Sequence, residues 1–290
     1  MTEQSCPDTV PKKRGILFFL TRPRATRPGE TFGVPGQGDT LWLSGLSIAG
    51  IILVWWLVTA MGWVKPLFLP SPQAVLGKFA DVWTNGFTGT PFIEHVGISA
   101  ARVFGAFLLA CLIGIPLGIA MGMSPLVRGI FDPPLEFYRP IPPLAYLPLM
   151  IIWFGIGETS KVLLIFLSVL APVTLGARSG VRSAAIEQIH AAYSFGASRW
   201  QVMTEVILPS ALPEILTAMR IGIGFGWTTL VAAEMVAATK GLGYMVLTAS
   251  QFLQTSTVVM GIIVIAIIAY AFDMLMRLVE RRVVPWKGLM

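Results

Sequence analysis

EQIHAAYSFGASRWQVMTEVILPSALP, residues 187–213, is the stretch on which the reading of this chain turns. It is polar and charged, and it lies between two long apolar runs. Ile186, Ile189, Tyr193 and Trp200 recur at helical spacing, with Glu187, Gln188, Ser194 and Arg199 off that stripe. Gly196 interrupts the helix. Ser198 followed three residues later by Gln201 is a capping-box pattern that starts a second helix, and Pro209 is expected to end it. The segment therefore predicts helix, sharp turn, helix, exposed in a chain that is otherwise buried. Such a shape suits docking into a groove on a soluble partner.

Composition supplies the setting. The chain has 290 residues, of which 55% are hydrophobic and only 12% charged, with mean hydropathy +0.74. Soluble domains carry about 25% charged residues. The apolar runs are continuous rather than alternating, so helices and not a barrel are predicted to cross the membrane. Spans are expected at about 41–63, 100–123, 144–156, 162–181, 211–236 and 258–279, giving an all-α membrane protein with six transmembrane helices. Residues 1–40 are rich in Pro, Gly and basic side chains and read as a poorly ordered tail, with 41–290 as one transmembrane domain. The run 16–20 is too short for the apolar core of a signal peptide.

Several local signals lie between the spans. Ser71 and Pro72 open a short interfacial helix whose one face carries Val75, Leu76, Phe79 and Trp83. Gly114 and Gly118 are four apart and allow close helix contact, or are simply tolerated in a membrane helix. Prolines from Pro125 to Pro143 are expected to break the helix repeatedly. Gly157–Lys161 reads as a tight turn, and the segment after Lys240 as a Gly turn with a modest helix.

The basic residues are asymmetric. Lys12, Lys13, Arg14, Arg22, Arg24, Arg27, Arg128, Arg139, Arg178, Arg182, Arg199, Arg277, Arg281, Arg282 and Lys287 fall on one side of the expected topology. Lys65, Lys78, Lys161 and Lys240 fall on the other. Both termini and the 187–213 segment are thus predicted to be cytoplasmic. The net charge of +6 is explained by this sidedness rather than by nucleic acid. Cys6 and Cys111 imply no disulfide framework, and His95 and His190 are too far apart in sequence to suggest a metal site.

Arg220 lies about a dozen residues into the expected fifth span, and Glu234 near its outer end. Such charges cost about 2.5–3.5 kcal/mol near a span centre and usually face a cavity, a partner charge or the interface. Arg220, Thr228, Thr229 and Glu234 are candidates for a translocation path. In that path a cation suits an anionic headgroup, and a carboxylate an ammonium. The plainer alternatives are that Arg220 snorkels to the surface and that Glu234 sits in interfacial water. Asp273 and Glu280 are expected to pair with Arg277, Arg281 or Arg282.

The 187–213 segment resembles the EAA loop of bacterial ATP-binding cassette (ABC) importer permeases. Ala191, Ala192, Gly196, Leu208 and Pro209 match, Val206 stands at the Ile position, and His190 replaces the first Glu. LPSP (69–72), RPIPPLAYLPL (139–149), WFGIGETSK (153–161), the run 196–246 and the terminal RRVVPWKG are similar to the sulfonate, taurine and nitrate group, most of all its taurine branch. The resemblance implies a type I ABC importer (MetI-like) permease architecture in a bacterial inner membrane. It implies an ATPase-coupling loop at about 183–210, carried by Ile189, His190, Ala191, Ala192, Tyr193, Gly196, Trp200, Leu208 and Pro209. It also implies two cytoplasmic ABC ATPase subunits, an extracytoplasmic substrate-binding protein and a second copy of the permease chain. No Walker A string, nucleophile elbow or acid pair is present, so the chain is expected not to be an enzyme and to hold no cofactor. ATP and Mg would be bound by the partner ATPases. Other aliphatic sulfonates or nitrate are alternative cargoes to taurine. A secondary transporter driven by an ion gradient, or a membrane scaffold, are readings from other classes. Inverted halves or more ionisable residues in the spans would favour the first.

Overall fold

A computed structural model describes residues 41–286, and the basic segment 1–40 predicted as a tail lies outside them. Among the described residues there is no strand, only an isolated bridge between Phe87 and Thr90. The chain divides into two units, 1–72 and 73–290.

The described part of the first unit holds one long helix, α1 (Leu41–Ala60), whose apolar side chains are exposed along its length. An all-round apolar helix with no buried face is a lipid-facing element. Within the unit, the indole Nε1 of Trp55 donates to the Pro70 carbonyl at 3.0 Å.

The second unit opens with α2 (Pro72–Asn85), followed by α3 (Phe92–Met123), α4 (Pro125–Tyr138), a 3-10 turn Pro143–Tyr146 leading into α5 (Leu147–Phe154), and α6 (Glu158–Arg182). Then come α7 (Ile186–Ser194), α8 (Arg199–Ala237), α9 (Leu242–Gln251) and α10 (Thr255–Val283). Among the described residues five helices, α1, α3, α6, α8 and α10, are long and apolar enough to cross a membrane. The expected third span is the exception. Its apolar helix covers only Pro143–Phe154, opened by Pro142, Pro143 and Pro148 and ended by Gly155 at φ 75°. Yet the chain does return across the bundle between Ser124 and Gly157: α3 and α6 run parallel, with Arg102 beside Glu158 at one end and Gly122 beside Val181 at the other. Other helices exceed their expected bounds: α3 begins eight residues before Ala100, and its 32 residues reach about 48 Å.

The core forms where α3, α6 and α8 pack on one another. Val103, Phe107 and Ala110 of α3 meet Ile165, Val169 and Val173 of α6, and Ile223, Trp227 and Leu230 of α8. Phe272 and Met276 of α10 close the cluster. Glycine permits the close approach of α3 to α6. A Cβ on Gly114 would lie 2.9 Å from Thr174 Oγ1, one on Gly118 would overlap the backbone of Thr174, and one on Gly122 would lie 2.6 Å from Val181 Cβ. The expected small-residue face is therefore real and extends one turn further.

Two proline expectations are corrected. α4 runs unbroken through Pro133 and Pro134. Gly129 and Ile130, whose carbonyls lose their partners, are exposed. Arg178 of α6 also holds α4 through Asp132 and, at 3.9 Å, Glu136, one turn apart. Pro209 likewise does not end its helix. The chain is helical from Arg199 to Ala237, with a π segment at Val202–Ile207 in which the Leu208 N–H donates to the Met203 carbonyl. The wider turn accommodates the missing N–H and the ring of Pro209 without breaking the rod.

Candidate functional site

The loop between α6 and α8 is built as its sequence implies. α7 ends in a Schellman motif: Gly196 N–H donates to the Tyr193 carbonyl at 2.9 Å, and Ala197 N–H to that of Ala192 at 3.1 Å. Gly196 sits at φ +83°, a conformation that favours glycine. The capping box is complete. Ser198 Oγ accepts from Gln201 N–H at 3.3 Å, and Ser198 N–H donates to Gln201 Oε1 at 2.8 Å. A corner results that is held by its own backbone and capping bonds.

The corner presents apolar groups. Trp200 is 69% exposed and Tyr193 and Ile186 are also exposed, with His190 and Ala191 beside them. Ile189 and Ala192 are half-buried. Phe195, which the periodicity did not select, is 91% exposed at the tip. Leu208 and Pro209 lie apart from this surface, half-buried in α8 next to the π segment. Behind the loop is a cavity of about 690 Å³ lined by Ala185, Gln188, Val206, Pro209, Pro213 and Trp286, among others.

A second cavity, about 650 Å³ and mostly apolar, lies between α8 and α10. Arg220, Ile223, Gly224, Trp227, Thr228 and Val231 line it from α8, and Ile265, Ala269 and Asp273 from α10. Arg220 reaches Asp273 at 3.5 Å and Glu280 at 3.4 Å, so it is paired across the two helices. It also borders a smaller cavity of about 290 Å³ with Arg277, Glu280 and Arg281. Asp273 accepts from Arg277 at 2.8 Å as expected, and Glu280 accepts from Arg220 at 3.4 Å. Of the four residues expected on a path, Arg220 and Thr228 face this cavity. Thr229 is buried on the other side of α8, and Glu234 lies elsewhere.

Glu234 is 0% exposed and belongs to a closed polar network at the opposite end of α8. Its carboxylate accepts from Arg102 Nη1 at 2.7 Å, from Ser99 Oγ at 2.8 Å and from Gly243 N–H at 2.8 Å. Arg102 uses Nε and Nη2 to grip Glu158 through two bonds of 2.6 Å, and Nη1 also reaches the Lys240 carbonyl at 2.8 Å. Lys161 donates to Glu158 at 2.9 Å. Beside them His95 Nδ1 accepts from Gly241 N–H at 3.1 Å, leaving the Nε2 proton for the Phe87 carbonyl at 3.3 Å. Two cations and two carboxylates thus fix one end of α3, α6 and α8 and the 238–243 turn. Arg102, Ser99, Glu158 and Lys161 were not among the expected site residues. Arg102 lies two positions inside an expected span start, and nothing in its local sequence singles it out. Among the described residues no group of His, Cys, Asp and Glu could hold a metal ion.

Comparison with known proteins agrees with this architecture. Residues 114–285 match the family described as "Binding-protein-dependent transport system inner membrane component". The chain is 55% identical over 243 residues to the taurine transport system permease protein TauC of Escherichia coli (strain K12), covering 83% of this chain and 88% of that one. It is 35% identical over 255 residues to the putative aliphatic sulfonates transport permease protein SsuC of Bacillus subtilis (strain 168), covering 88% and 91%. Among solved structures, the inward-facing MetNI methionine ABC transporter superposes with a TM-score of 0.57 at 19% identity. That match covers 66% of this chain and 95% of the other, and bears on the fold alone. With more than half of its length matched, its apolar helices and its close relatives in agreement, the chain belongs to the binding-protein-dependent transport system inner membrane components, the multi-pass permease subunits of ABC importers.

Proposed function

We propose that the chain forms the translocation path of an ATP-driven importer for taurine and is driven through its 183–210 loop. The observation that carries the cargo is the 55% identity to a taurine permease over 243 residues, 83% of the chain. The loop's geometry supports the drive. Tyr193, Phe195 and Trp200 form an exposed apolar seat on a corner that Gly196 and the Ser198–Gln201 box hold rigid. An amphipathic helix end of this kind fits a groove on a soluble partner.

The assembly that follows has two copies of this chain, two cytoplasmic ATPase subunits that bind ATP and Mg, and an extracytoplasmic binding protein that delivers cargo. The chain itself binds no nucleotide. ATP-driven closure of the ATPases moves the seated corner. Because α8 continues unbroken from Arg199 to Ala237, that movement reaches the wall of the α8–α10 cavity directly. Nucleotide shifts the population between inward-open and outward-open arrangements by binding one better than the other. Both termini lie in the cytoplasm in this reading, as the basic residues imply. Arg220 and Thr228 line the path, while Thr229 and Glu234 support it from the core.

Uptake of labelled taurine by cells with and without the chain tests the cargo, with unlabelled alkanesulfonate and nitrate as competitors. Loss on deletion, competed by taurine alone, is the expected result. Import of other aliphatic sulfonates is the second reading, favoured by the 35% identity to SsuC, and it predicts competition by alkanesulfonate instead.

A further inference from the structure

The α8–α10 cavity brings opposite charges to one apolar wall. Arg220 and Asp273 both line it, and their closest atoms are 3.5 Å apart. That contact is looser than the 2.6–2.7 Å bonds by which Arg102 is held in the network at the far end of α8. Glu280, the second partner of Arg220, stands at 3.4 Å, also at the long limit of a hydrogen bond. The rest of the wall is apolar, from Ile223, Val231, Ile265 and Ala269. Thr228 adds a hydroxyl, which donates to the Phe225 carbonyl and can still accept, and Trp227 adds part of its ring, with Nε1 buried away from the cavity.

We propose that this cavity is a binding site for a compact zwitterion, an acidic headgroup and an ammonium separated by a short alkyl chain. Arg220 takes the oxyanion through its planar fork. Asp273 takes the ammonium, and the alkyl chain lies on Ile223 and Ile265. The ligand separates the loose Arg220–Asp273 pair and satisfies each partner, so no charge is left bare at any stage. Asp273 keeps Arg277 and Arg220 keeps Glu280 while the site is empty. Glu234, the carboxylate that the sequence offered for an ammonium, is excluded because Arg102, Ser99 and Gly243 already saturate it. The site's preference for a zwitterion stands on these residues. Its identity as a taurine site rests on the proposed cargo.

The experiment uses the assembled transporter in lipid nanodiscs, titrated at constant ionic strength while tryptophan fluorescence is followed. Trp227→Phe identifies the signal that comes from the cavity. The probes are taurine, β-alanine, ethanesulfonate and ethylammonium. The expected result is that the zwitterions bind at least about tenfold more tightly than either half-ligand, a difference of about 1.4 kcal/mol. Asp273→Asn should abolish that preference while ethanesulfonate binding persists, and Arg220→Gln should lose ethanesulfonate as well. Equal binding of zwitterion and half-ligands, or no response that depends on Trp227, overturns the site. So does an unchanged preference in Asp273→Asn. If β-alanine and taurine both bind but cells import no taurine, the site stands and the taurine reading falls.

Discussion

The Arg102 guanidinium lies 2.7 Å from the Glu234 carboxylate with both side chains out of solvent, at 6% and 0% exposure. The pair joins α3 to α8 across 132 residues of sequence, and Glu158 extends it to α6. Removing one partner strands the other. Arg102→Met should therefore destabilise the protein by about 3–5 kcal/mol, the usual result of breaking a buried pair. Adding Glu234→Leu should restore part of the loss. Glu158 is 61% exposed and retains Lys161, so it tolerates the change. Thermal unfolding of the two purified variants gives the comparison. A double variant less stable than the single would show that the pair is not the source of the stability.

The glycines of α3 make a sharper contrast. A Cβ at Gly118 meets the backbone of Thr174 and Arg178, which cannot move aside, whereas one at Gly105 meets nothing within 4 Å. Gly118→Val should prevent α3 and α6 from closing, costing about 1–3 kcal/mol or more from overpacking alone. Gly105→Ala should be neutral or slightly stabilising, because alanine favours the helix by about 1 kcal/mol over glycine. Expression level and unfolding temperature in detergent would separate them, and equal behaviour would remove the packing argument.

The two cases differ in how far they could be read in advance. Gly114 and Gly118 announce a face because helical spacing is local. The corner at Gly196 and the box at Ser198 are legible for the same reason: every bond that makes them lies within five residues. The Arg102–Glu234–Glu158 network is different. Which helix faces which is a tertiary fact, and partners 56 and 132 positions apart leave no periodic trace. Pro209 misled for a third reason. A single π turn absorbs the break that proline usually makes, and whether one forms depends on the packing around it. The Pro143–Phe154 segment shows the same limit: its apolar composition marks a span, but that α4 shares the crossing follows from the Arg178–Asp132 and Tyr138–Leu167 contacts on α6, which leave no periodic trace.

Gly196 separates coupling from folding. At φ +83° a side chain is strained by about 1–2 kcal/mol, yet a Cβ there has nothing within 4 Å to strike. Gly196→Glu should leave an inserted, folded chain whose corner is redirected, so that taurine uptake fails while the assembled complex still hydrolyses ATP. Gly196→Asn should retain most uptake, because asparagine tolerates the left-handed region. Parallel uptake and ATPase assays would decide, and normal uptake by Gly196→Glu would count against the corner as a lever.

Phe195 offers the most direct test of the seat. A phenyl group 91% exposed at a tip contributes almost nothing to the fold of its own chain, so its replacement should not change stability. If the tip enters a groove on an ATPase, the same replacement removes an aromatic anchor, the kind of side chain that carries about 2 kcal/mol or more of an interface. Phe195→Asp should then reduce recovery of the ATPase with the purified permease while leaving the unfolding temperature unchanged. Trp200→Ala, with a ring also largely exposed, should act in the same direction. Glu187→Ala, whose carboxylate lies off the apolar stripe, should have little effect on either. Loss of stability in Phe195→Asp would mean that the ring is spent within the permease, and full ATPase recovery would move the docking surface away from this corner.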